Sequence, residues 1–112
     1  MTTTKKRVKQ DRLAIARAFV TRFQEQALGF LAERGVAVTE ARIFAGRSYE
    51  EPSWEQSILT LVLPVNAETA FALWDELSGM LNRAIEQEPA ELQEILLDAT
   101  SVDIEWDLNA AV

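Results

Sequence analysis

Gln56-Ser57-Ile58-Leu59-Thr60-Leu61-Val62-Leu63-Pro64 is the stretch on which the fold turns. From Ile58 onward it is apolar on both faces of an extended chain, with Thr60 the exception. A strand on a half-solvated sheet would alternate, so this run reads as a central strand. Pro64 ends it, because a proline cannot donate to a sheet ladder. Upstream, Val36–Gly46 is rich in β-branched and small residues and reads as a second strand. Gly46–Glu55 is the turn-rich, charged connection between them. The simplest pairing of the two is an antiparallel hairpin with a long loop.

Helices flank this pair. From Asp11 to Arg34, the residues Leu13, Ala16, Phe19, Val20, Phe23, Ala27, Phe30 and Leu31 fall within an arc of about 120°, the stripe of a core-facing helix. Asp11 is the expected N-cap and Gly35 the expected left-handed stop. After Pro64, Asn66 can cap a second helix. Its apolar half holds Ala70, Phe71, Leu73, Trp74, Leu77, Met80, Leu81, Ala84 and Ile85. Pro89 then restarts a short helix, Ala90–Leu97, that should bury Leu92, Ile95 and Leu96. Val102-Asp103-Ile104-Glu105-Trp106-Asp107-Leu108 alternates without a break and reads as a strand with one apolar and one acidic face. A charge at Trp106 should therefore cost several kcal/mol.

The order α-β-β-α-(short α)-β implies an α+β protein, a two-layer α/β sandwich with a three-stranded, mainly antiparallel sheet and helices on one face. As an architecture it reads as ferredoxin-like without the first strand. Residues 1–10 are expected as a flexible basic arm, 11–108 as one domain and 109–112 as a frayed tail. The 112 residues suit a single domain with one core.

Charge is divided sharply along the chain. Residues 1–47 hold ten Lys/Arg against four Asp/Glu, and residues 48–112 hold Arg83 alone against fourteen acids, so +6 and −13 sum to the net −7. Such a division shapes partners and association rather than fold. With no cysteine there are no disulfides, thiolate nucleophiles or thiolate metal sites, which fits a reducing, cytoplasmic setting. With no histidine, the commonest general base and transition-metal ligand is missing too. No Gly-rich phosphate loop or metal-ligand spacing occurs, so neither enzyme chemistry nor a cofactor nor a metal is expected. No run approaches the ~20 apolar residues of a membrane span. The start does not read as a secretory signal, because Arg17 interrupts Leu13–Val20. Nor does it read as a presequence, since the apolar face runs on to Leu31.

Three groups are candidates for binding. Asp103, Glu105 and Asp107 form an acidic row spaced about 7 Å apart, too far for one cation to bridge, and suited to a basic protein partner. Tyr49 and Trp54, in the connection between the first two strands, are residue types that anchor interfaces. The basic cluster Lys5, Lys6, Arg7, Lys9 and Arg12 could touch nucleic acid, but no recognition motif supports it and the acidic remainder would repel a polyanion. The leading expectation is thus a non-enzymatic protein–protein interaction module of the adaptor, inhibitor or immunity kind. Homodimerisation is expected because the doubly apolar central strand has helices on one side only. A nucleic-acid-contacting regulator is the alternative. The aromatics Phe19, Phe23, Phe71, Trp74 and Trp106 sit at core-periodic positions and are expected to be packing residues.

Overall fold

The computed structural model describes the backbone of residues 2–47 and 55–107, and the side chains of 12–46 and 55–107. The expected tail therefore lies outside the described residues. Strands β1 (Glu40–Arg47) and β2 (Glu55–Leu63) follow helix α1 (Thr2–Glu33). Helices α2 (Ala67–Glu86) and α3 (Ala90–Ala99) lead to strand β3 (Thr100–Trp106). The fold is α+β, with β2 in the middle of a three-stranded sheet of order β1-β2-β3.

The sheet is mixed, which corrects the mainly antiparallel expectation: β1 pairs with β2 antiparallel, but β2 pairs with β3 in parallel. The connection explains this. The twenty residues of α2 carry the chain back along the sheet, by about 30 Å, before α3 delivers it to β3, and such a crossover yields a parallel pair. A ferredoxin-like frame separates the two strands of such a crossover with another strand. Here they pair directly, Leu61 opposite Ile104.

Helix α1 begins at Thr2, not at Asp11, so the basic segment is helical backbone continuous with the packed part of the helix, and Asp11 lies inside it. No Gly or Pro interrupts residues 2–28, and the Lys, Arg and Gln of 5–10 are good helix formers. Its far end matches the expectation. Gly35 has φ 72°, its N–H donates to the Ala32 carbonyl at 3.1 Å, and the Val36 N–H donates to the Leu31 carbonyl at 2.9 Å. That double closure satisfies the last carbonyls of the helix and needs a left-handed residue at 35. It also delays β1 to Glu40. Asn66 caps α2 as expected, its Oδ1 accepting from the Thr69 N–H at 2.8 Å.

All three helices cover one sheet face. Leu59, Leu61 and Leu63 of β2, with Val102 and Ile104 of β3, are buried against Phe19, Val20, Phe23, Ala27 and Leu31 of α1, Leu73, Leu77, Leu81 and Ile85 of α2, and Leu96 of α3. The opposite face carries Phe44, Ile58 and Val62 among charges. There the Arg42 Nη2 donates to Glu105 Oε2 at 3.1 Å, from one edge strand to the other, crossing β2.

Thr60, in the middle of that face, is 1% exposed, and its hydroxyl has no hydrogen-bond partner among the described residues. Desolvating a hydroxyl without a bond costs free energy that an isosteric methyl does not. Thr60→Val is therefore expected to stabilise the protein by about 1 kcal/mol. An unchanged or lowered urea midpoint would show that the hydroxyl is bonded in solution.

Candidate functional site: an aromatic cleft at the sheet edge

The site is built from two local patterns. The alternation of β3 turns Val102, Ile104 and Trp106 toward the helices and Asp103 and Glu105 away from them. On α2 the buried stripe is narrower than the apolar half of its sequence. Ala70, Leu73, Leu77, Leu81 and Ile85 are buried, while Phe71 and Trp74, three residues apart, stand together beside the stripe. Phe71, Trp74 and Trp106 are 61%, 44% and 45% exposed, which corrects their assignment to the core; Phe19 and Phe23 are buried as expected. The physical reason is position. β3 is an edge strand, so residues at its end and on the flank of α2 have neighbours on one side only.

These three rings frame a cleft of about 220 Å³, completed by Ala70, Ile104 and Asp103. Phe71 and Trp106 pack with centroids 5.4 Å apart and planes inclined by 53°, a favourable tilted arrangement. The Trp74 Nε1–H donates to the Val102 carbonyl at 2.9 Å and so fixes its ring against the strand. Among the described residues of the lining Asp103 is the one of ionisable type, and the alternation of β3 places its carboxylate on the outer face of the sheet, next to the cleft. Aromatic faces with carboxylates on the adjoining sheet face suit a partner's cationic side chains, through ring quadrupole and charge together.

Of the acidic row, Asp103 lines the cleft, Glu105 holds Arg42 on the outer face, and Asp107 follows the strand with its N–H donating to the Leu63 carbonyl at 3.0 Å. Tyr49 and Trp54 lie outside the described residues. Lys5, Lys6, Arg7 and Lys9 belong to the first turns of α1, and Arg12 reaches Asp98 of α3 at 3.8 Å. The cleft's aromatic frame escaped sequence reasoning because core and surface aromatics share the same helical period. The width of the apolar half of α2, greater than one flat sheet needs, was the available signal.

The two charged halves meet within the chain. Arg22 reaches Glu88 at 3.6 Å and Arg34 reaches Glu76 at 3.1 Å, so with Arg12–Asp98 and Arg42–Glu105 four arginines of the basic half pair with acids of the other. Each such exposed pair contributes about 0–1 kcal/mol, so their effect is on the surface potential more than on stability. Among the described residues, no three acidic side chains converge as a metal site, and no helix is long and apolar enough to cross a membrane. No protein-family model, no curated protein and no solved structure matches the chain.

Proposed function

We propose that the chain is a small non-enzymatic protein-binding module that presents the α2/β3 cleft, with the acids beside it, to a basic protein partner. The observation that carries this reading is the contiguity of three exposed aromatic rings, Phe71, Trp74 and Trp106, around a cleft that Asp103 borders. Large aromatics are costly to leave in water and dominate binding energy where they cluster. Fourteen acids in residues 48–112 against one arginine favour a basic partner electrostatically. The nucleic-acid alternative is weaker, because no recognition motif accompanies the basic cluster, the acidic half would repel a polyanion, and Arg12 of that cluster already reaches Asp98.

The test is a tagged pull-down of the full chain from host lysate with nuclease present, run beside Asp103→Lys. A basic protein retained near stoichiometrically by the wild type, released by salt and lost with Asp103→Lys, is the expected result. Recovery that is indifferent to the substitution would sink the cleft as the binding site. Partners that vanish with nuclease would promote the regulator reading.

Self-association is a second reading, favoured by the outer sheet face, where Phe44 is 46% exposed next to Ile58. The Arg42–Glu105 pair divides the apolar strip there.

A further inference from the structure

The cleft coincides with unpaired backbone. The Asp107 N–H donates to the Leu63 carbonyl, so the alternate residues Asp103, Glu105 and Asp107 direct their backbone groups to β2. The backbone groups of Val102, Ile104 and Trp106 then point out of the sheet. The Val102 carbonyl is taken by Trp74. Among the described residues nothing bonds the N–H and carbonyl of Ile104 and Trp106 on that side. Four main-chain groups at strand spacing thus point outward from the edge of β3 that borders the cleft of Phe71, Trp74 and Trp106.

We propose that an extended segment bearing Lys or Arg at alternate positions adds to this edge as a fourth strand, pairing with Ile104 and Trp106. The inference rests on the basic-partner reading and specifies how that partner is held. Main-chain bonds supply the pairing, and the pleat sorts the side chains of the segment. Those on the outer face lie across from Asp103 and Glu105, where opposite charges stabilise a cross-strand pair. Those on the inner face meet the rings of Trp74, Phe71 and Trp106. Trp74 sets the limit of the added strand by occupying the Val102 carbonyl. Charge also selects against the nearest competitor. Two copies of β3 paired edge to edge, with their acidic faces on the same side, would set carboxylates across from carboxylates.

The experiment is affinity selection of a displayed random octapeptide library on the intact protein. Amide exchange by NMR follows, with the selected peptide and with its N-methylated form. Sequences with Lys or Arg at alternate positions are expected. The Ile104 and Trp106 amides should exchange roughly tenfold more slowly when about nine in ten molecules are occupied. N-methylation of the pairing amides of the peptide should abolish both effects without touching the folded protein. Selected peptides that are basic without that period, and that leave the two amides unprotected, overturn strand addition while the basic-partner reading stands. Neutral or acidic peptides, or no binder, overturn both.

Discussion

Leu61→Ala is expected to remove about 3–4 kcal/mol of folding stability, and to lower the urea midpoint by about 2 M for a domain of this size. Leu61 is 0% exposed, at the centre of the middle strand, on the face that all three helices cover. Its partners in register are Ala41 and Ile104. The alanine side offers no bulk to collapse into the space, so the hole stays open and its lining loses contacts. Since small domains are stable by about 5–15 kcal/mol, this one change consumes a large fraction. A midpoint shift below about 0.5 M would mean that Leu61 does not face the helices.

Trp106→Ala should show the opposite profile. The side chain is 45% exposed and packs on Phe71, itself exposed, so removing it is expected to cost only about 1 kcal/mol of stability. Binding of the basic partner should weaken by a factor of about 30 or more, the usual loss when an aromatic anchor is truncated. Calorimetry of the full chain, with and without the partner, reads both quantities. Loss of folding together with binding would return Trp106 to the core. Unchanged binding would remove it from the interface. The alternation of β3 alone predicts a penalty of several kcal/mol for a charge at this position; the exposure of the ring reduces that expectation.

Most of the local structure was legible in the sequence because its causes are local. Most of the apolar stripe of α1 is buried as its period requires, with Leu13 and Phe30 half-buried, Gly35 ends that helix, and Asn66 caps the next. The alternation of β3 is right in phase, with Val102 and Ile104 buried and Asp103 and Glu105 exposed. The start of α1 was misplaced because apolar periodicity marks where a helix packs, whereas helix propensity determines how far it extends. The site was half legible. Asp103 was singled out, but the aromatics that give it meaning were assigned to the core, since a helical wheel shows which residues share a side and not how much of that side is covered.

The sequence by itself determined the α+β class, the element order, the faces of the strands and the division of charge, because each depends on residues near one another in the chain. Only the tertiary structure decided that β2 and β3 run parallel and that β3 lies at an edge with Phe71, Trp74 and Trp106 around its free backbone. It decided, too, that arginines of one half meet carboxylates of the other. The physical reason is that pairing, edge position and exposure depend on where a crossover returns the chain, which no local period records.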